Sequence, residues 1–105
     1  METPKKGTQD QLPKDAAFTL TVPLDRSGQN NATFHIKDMT EDVFIAANSL
    51  IDRGKHLDAI RMVIKSLCVG GDNPDVLKDN FLASQSASKL IQQFLEPIPG
   101  ELKKN

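Results

Sequence analysis

Two histidines, one cysteine and several closely spaced carboxylates are the residues of this chain that could carry chemistry. His35 lies on the polar side of a predicted strand, and His56 lies near a predicted helix start. A zinc site needs several histidine or cysteine ligands at short spacing, and neither histidine has such a companion. The sequence therefore predicts no metal site, and each imidazole is expected to be exposed or partly packed.

Cys68 follows an apolar helical stripe and precedes Val69 and two glycines. A cysteine nucleophile needs a lowered pKa and a partner base. The C-terminal end of a helix disfavours a thiolate, because the helix dipole is negative there. Cys68 is therefore predicted to be a small core residue, and the sequence leaves any redox role undecided.

The carboxylate pairs have a simpler explanation than acid–base catalysis. Glu41, Asp42, Asp72 and Asp75 stand at predicted helix starts, where the helix dipole favours negative charge. The stretch "GGDNPD" lacks the lysine–serine ending of a phosphate-binding loop and the final glutamate of a calcium loop. We therefore predict no catalytic, cofactor-binding or metal-binding residue, and the chain is expected not to be an enzyme.

Two segments near the beginning of the chain have the alternation of half-buried strands. In "AFTLTV", residues 17–22, apolar side chains alternate with threonines, and residues 32–37 repeat this pattern. The segment between them is rich in Asp, Ser, Gly and Asn, which indicates a turn. The pair is predicted to form a β-hairpin whose apolar face rests on the helices that follow.

The rest of the chain has helical periodicity. The first helix is predicted over about residues 40–53. It is expected to start either with a capping box formed by Asp38 and Glu41 or with Thr40 as the N-cap. Its apolar face consists of Val43, Phe44, Ala47, Leu50 and Ile51. A second helix is predicted over about residues 56–67, after the C-cap Gly54.

Two further short helices are predicted near the end of the chain. The first starts at "DNPD" and carries Val76, Leu77 and Phe81; after the weak interval "ASQSAS", the second spans about residues 85–95. The predicted fold class is α+β, with an N-terminal β-hairpin followed by about four short helices in a compact bundle.

Composition divides the chain into three parts. Residues 1–15 and 97–105 are poor in apolar side chains and are expected to be a flexible arm and a flexible tail around a single domain, residues 16–96. The net charge of -1 gives no electrostatic reason to expect nucleic acid. No apolar run is long enough for a membrane span, no secretory signal is evident, and a lone cysteine cannot form an internal disulfide. A cytoplasmic location is expected.

The last predicted helix has a wide apolar stripe, formed by Leu90, Ile91, Phe94 and Leu95. Core packing is the ordinary role of such a stripe, and a binding face for another protein chain is the alternative. These four residues are predicted to bind protein, with a second copy of this chain as one option for the partner.

The order of parts resembles the small tail assembly chaperones of tailed bacteriophages and prophages. The likeness is carried by "ATFHIKDMTEDVFIAANSLI" and by the helix pair ending "IKSLCVGGDNPDVLKDN", and it covers about residues 17–96. It implies a non-enzymatic protein that binds other tail proteins, chiefly the tape measure, before assembly, with no catalytic residues. The alternative function is a small structural or adaptor subunit that self-associates or stays in a multiprotein assembly.

Overall fold

The computed structural model describes residues 13–96 and 99–102 of the chain. Their elements, in chain order, are strand β1 (Phe18–Pro23), strand β2 (Asn31–Ile36), helix α1 (Glu41–Asp52), helix α2 (His56–Leu67), strand β3 (Cys68–Gly71), a 3-10 helix (Pro74–Leu77) and helix α3 (Phe81–Leu95). The predicted α+β class is confirmed. Residues 1–12 of the predicted arm and part of the predicted tail lie outside the described residues, so both segments stay predictions.

Strands β1 and β2 form the predicted hairpin, in antiparallel register from Phe18 opposite Ile36 to Pro23 opposite Asn31. Successive side chains of each strand point to opposite faces of the hairpin, so the apolar and polar residues lie on different faces. The buried face consists of Leu20, Val22, Ala32, Phe34 and Ile36, whereas the other face carries Thr19, Thr21, Thr33 and His35. Cross-strand hydrogen bonds join Thr21 to Thr33 and Thr19 to His35 on the polar face.

The sheet has a third strand that the sequence did not predict. Strand β3 pairs antiparallel with β2, so the strand order is β1-β2-β3, and the register shifts between His35 and Ile36. Gly71 has a φ of 95°, and a Cβ at that position would collide with the carbonyl oxygen of Thr33. Glycine is therefore needed for the close approach of these strands. The sequence did not indicate this strand, because four residues are too few to show a period.

Within residues 13–96 and 99–102, the prediction of about four helices is corrected to three α-helices and one 3-10 helix. Asn73 caps the 3-10 helix and Pro74 follows it, in agreement with the predicted start at "DNPD". A new helix then begins at Phe81, because the Asn80 side chain accepts a hydrogen bond from the backbone N–H of Ala83. The "ASQSAS" interval therefore lies inside α3.

Of the two starts predicted for helix α1, the structure has the one with Thr40 at the N-cap. The capping box does not form, because the carboxylate of Asp38 accepts from the adjacent N–H of Met39. Gly54 follows the helix with a φ of 77°, the left-handed conformation expected of the residue after a C-cap.

The core lies between the buried face of the hairpin and the inner faces of α2 and α3. Helix α2 contributes Ala59, Ile60, Val63, Ile64 and Leu67, and it lies between α1, α3 and the sheet. Helix α3 packs on β1. Burying a branched side chain of this size stabilises a fold by about 1.5–3 kcal/mol, so this layer holds the hairpin in place. Within the described ranges, no helix combines the length and the apolar character that crossing a bilayer demands.

Candidate protein-binding surfaces

The four predicted binding residues lie on α3, in different environments. Ile91 is completely buried and therefore belongs to the core. Leu90, Phe94 and Leu95 are half-buried against the core. At 100° per residue, Leu90 and Phe94 lie on one side of Ile91 and Leu95 lies on the other. The structure thus divides the predicted stripe into one core residue and three residues at its border.

Phe18 joins this border from the sheet. Its ring stacks on that of Phe94, with the ring centroids 4.1 Å apart and an angle of 30° between the rings. Phe18 remains 36% exposed, so one side of the aromatic pair is open to solvent. We call Phe18, Leu90, Phe94 and Leu95 the α3 rim. The sequence did not identify Phe18 as a site residue, because a residue of the first strand and one of the last helix share no local pattern.

Small side chains explain why the rim forms at the C-terminal end of α3. The inner face of the helix carries Ala83, Ser84, Ala87 and Ser88, all buried, before it reaches Ile91. These residues let the first turns approach their neighbours closely. The larger Phe94 and Leu95 follow in the last turn, where they are only partly covered.

A second exposed apolar surface lies on α1. Only Ala47 of this helix is buried, whereas Phe44 is 37% and Ile45 59% exposed. We define the α1 stripe as the outward residues at three- and four-residue spacing, namely Glu41, Phe44, Ile45, Asn48 and Asp52. Phe44 was predicted on the apolar face, but Ile45 was missed, since it stands apart from that face. An isoleucine on the polar side of an amphipathic helix was the available signal.

The second histidine forms a polar contact between helices. Nε2 of His56 lies 2.9 Å from Oγ of Ser88 and 3.3 Å from Nε2 of Gln92. A serine–histidine pair can activate the hydroxyl when a third group orients the imidazole. No carboxylate in the described part of the chain hydrogen-bonds to His56, and Ser88 is only 7% exposed. The contact therefore joins the start of α2 to α3.

Arg61 is the centre of a second polar network. Its Nε donates to the carbonyl oxygen of Leu77 at 3.2 Å and to Oγ of Ser84 at 3.0 Å, while Nη1 donates to Asp58 at 3.1 Å. Ser84, which is fully buried, also donates to the carbonyl of Leu77. The network connects α2, the 3-10 helix and α3. The cleft beside it, about 550 Å³, is bordered by Lys65 and Asp75, whose charged atoms are 3.7 Å apart.

A third polar region borders the sheet. Thr33, His35, Gly71 and Asp72 line an open cleft of about 450 Å³. The Asp72 carboxylate accepts from the N–H of Thr33 at 2.8 Å, and the N–H of Asp72 donates to the Thr33 carbonyl at 2.7 Å. These bonds hold the chain after β3 against β2. Among the described residues, no three His, Cys, Asp or Glu side chains are arranged to hold a metal ion.

Cys68 begins β3 and is half-buried against the core. Its thiol donates a weak hydrogen bond to the carbonyl of Gly70, with 3.2 Å between sulfur and oxygen. Cys68 therefore packs as a small apolar side chain at the start of the strand.

Comparison of the whole chain with protein-family models, curated proteins and solved structures finds no match. The polar clusters join elements of the fold to one another. The α3 rim and the α1 stripe, by contrast, leave large apolar side chains in contact with solvent.

Proposed function

We propose that this chain is a non-enzymatic protein-binding module that acts as an assembly chaperone for phage or prophage tail proteins, with the tape-measure protein as its client. The observation that carries the protein-binding part is the half-covered aromatic pair Phe18–Phe94 at the α3 rim. The chaperone assignment is supported by the resemblance in the order of strands and helices.

The α3 rim has the properties of a small binding surface. Aromatic residues are enriched in protein interfaces, and a few partly preorganised anchors supply most of the binding energy. Stacking on Phe18 orients the Phe94 ring before a partner arrives. Leu90 and Leu95 flank Ile91, so a client segment could cover apolar area on both sides of the helix.

Single substitutions at the rim test this function against tail proteins. Phe94→Ala and Leu95→Ser should each weaken co-purification with a co-expressed tape-measure protein by about tenfold or more, since loss of an interface anchor costs roughly 2 kcal/mol. Phe81→Ala is the matched control, because Phe81 is 61% exposed on the first turn of the same helix and lies outside the rim. Circular dichroism must show that each variant remains folded at the assay temperature.

Four results would argue against the proposal. If the wild-type chain co-purified with no tail protein, the proposed client would be wrong. If the rim variants bound the client as tightly as the wild type, the α3 rim would not be the binding surface. A chain that remains in finished tail particles would instead support the alternative, a structural or adaptor subunit. Self-association of the wild type, lost in Phe94→Ala on sedimentation, would support the self-associating form of that alternative.

A further inference from the structure

The α1 stripe combines apolar and acidic side chains in a definite order. Phe44 and Ile45 occupy its middle, Asn48 follows, and the carboxylates of Glu41 and Asp52 stand at its two ends. No lysine or arginine occurs between Glu41 and Asp52. The outer face of this helix is therefore an apolar centre between two negative ends.

This face is uncovered within the described residues. Helix α1 packs against α2 and makes only sparse contacts with the other elements. Ile45 is 59% exposed, an unusual state for isoleucine in the middle of a helix. The nearest following cation, Arg53, donates from Nε to the carbonyl of Ser49 at 3.4 Å and lies outside the stripe.

The acidic ends of the α1 stripe favour some binding partners over others. A second copy of α1, placed antiparallel, would bring Glu41 against Asp52, and a parallel copy would bring each carboxylate against its equivalent. Like charges across an interface disfavour association. A helix with lysine or arginine at the ends of its own apolar stripe would pair opposite charges instead, and its apolar residues would cover Phe44 and Ile45.

We propose that the α1 stripe binds a basic amphipathic helix of a partner protein. The inference concerns a different surface from the α3 rim and does not depend on the proposed function. The apolar centre supplies affinity, and the acidic ends select the charge and the register of the partner helix.

Two synthetic helical peptides serve as probes. One is built from Leu, Ala and Lys with a single leucine stripe, and the other replaces every Lys by Glu. The full chain should bind the Lys peptide at least about tenfold more tightly in titration calorimetry, equivalent to ~1.4 kcal/mol. Binding should weaken as salt is raised, and amide shifts should concentrate in residues 41–52.

Substitutions on the stripe sharpen the test. Ile45→Ala should reduce binding of the Lys peptide by roughly tenfold, whereas Val76→Ala, at an exposed apolar residue of the 3-10 helix, should leave it unchanged. The double substitution Glu41→Lys with Asp52→Lys should reverse the preference and favour the Glu peptide. These positions are exposed, so the variants should keep the wild-type melting temperature within a few degrees.

Several outcomes would overturn the proposal. They are failure of the wild type to bind the Lys peptide, equal binding of both peptides, and unchanged binding by Ile45→Ala. Sedimentation of the free chain as a dimer that Ile45→Ala dissociates would assign the stripe to a second copy. Nuclear Overhauser contacts from residues 1–12 to Phe44 or Ile45 would assign it to the chain's own beginning.

Discussion

Helices α1 and α2 have the same length and pack against each other, yet they are held in the molecule by different means. Both span 12 residues, but α2 buries five side chains and α1 buries only Ala47. Helix α2 also reaches α3 and the 3-10 helix through hydrogen bonds of His56 and Arg61. Within the described residues, the side-chain hydrogen bonds of α1 stay in the helix and its ends.

This difference shows that an amphipathic pattern does not reveal how much of a helix is covered. Helix α2 has neighbours on several sides, so five side chains of its apolar face are buried. Among the described elements, helix α1 has one main neighbour, and its apolar residues beyond that contact remain near solvent. Elements with few buried apolar contacts open at lower free energy than the core, and binding surfaces are often located there.

The largest expected contrast comes from the same truncation in both helices. Ile64→Ala in α2 should lower the free energy of unfolding by about 2–5 kcal/mol, because Ile64 is completely buried and the substitution leaves a cavity. Ile45→Ala in α1 should change it by less than ~0.5 kcal/mol, since that side chain is mostly exposed. Urea unfolding of both variants measures the difference, and equal losses would contradict the contrast between the helices.

Native-state hydrogen exchange compares the opening of the two helices without substitution. Amides in the middle of α1 should exchange at least about tenfold faster than those of α2, which corresponds to ~1.4 kcal/mol in opening free energy. The expected cause is that α1 buries fewer side chains than α2 and, in the described part of the chain, forms no side-chain hydrogen bond to another element. Equal protection across residues 41–67 would show instead that the helix pair opens as one unit.

The N-cap residues of α3 and α1 are expected to differ in their contribution to stability, by less than the two isoleucines do. The side chain of Asn80 accepts from the N–H of Ala83 and donates to the carbonyl of Leu24, each at 2.9 Å. Asn80→Ala should therefore lower stability by about 1–2 kcal/mol in thermal unfolding. Thr40→Ala should cost less than ~0.5 kcal/mol, because Thr40 makes no side-chain cap bond to the backbone of α1.

Asn80→Asp separates the two bonds, since aspartate keeps the acceptor for Ala83 and loses the donor to Leu24. Its stability should lie between those of the wild type and Asn80→Ala. If Thr40→Ala lost as much as Asn80→Ala, the two helix starts would be equivalent in energy and the expected contrast would fail.

The smallest expected effect is the pH dependence of α1. The Thr40 hydroxyl donates to Asp42 at 2.6 Å and, with the N–H of Val43, lowers the pKa of Asp42 below its ordinary value of 3.8. Because the pKa is lower in the folded state, the stabilisation is present above 3.8 and is lost as the pH falls through the folded value. Carboxyl NMR titration should show an Asp42 midpoint below 3.8 that rises in Thr40→Ala. An unchanged midpoint would contradict the role of the hydroxyl.

Local patterns in the sequence predicted much of the fold. The alternation of Phe18, Leu20 and Val22 indicated β1, and the helical stripes indicated α1 and α2 with nearly their observed limits. Gly54 was interpreted correctly as a helix end, and the stretch "DNPD" as a helix start, which the structure assigns to Asn73. These signals depend on residues within one or two turns of each other, so they do not require the rest of the structure.

The candidate binding sites were harder to predict from the sequence than the fold. The four residues predicted on the last helix lie together on α3, but only their packing shows that Ile91 belongs to the core and that Phe18 joins Phe94. Ile45 gave no periodic signal as part of an apolar face. The stretch "ASQSAS" was interpreted as a weak interval before a helix over about residues 85–95, whereas α3 already includes Ser84. Ser84 and Ser88 both have partners on α2 that the sequence did not indicate.

By itself, the sequence determined the class of the fold, the first two strands, the first two helices and the concentration of apolar residues at the end of α3. Only the tertiary structure decided that Cys68–Gly71 is a strand, that α3 is continuous and that α1 leaves Phe44 and Ile45 uncovered. The physical reason is distance along the chain. The pairing of β3 with β2, the hydrogen bond of His56 to Ser88 and the stacking of Phe18 on Phe94 all join distant residues. Such contacts form only when the whole core assembles, and their energies then override the local preference of each segment.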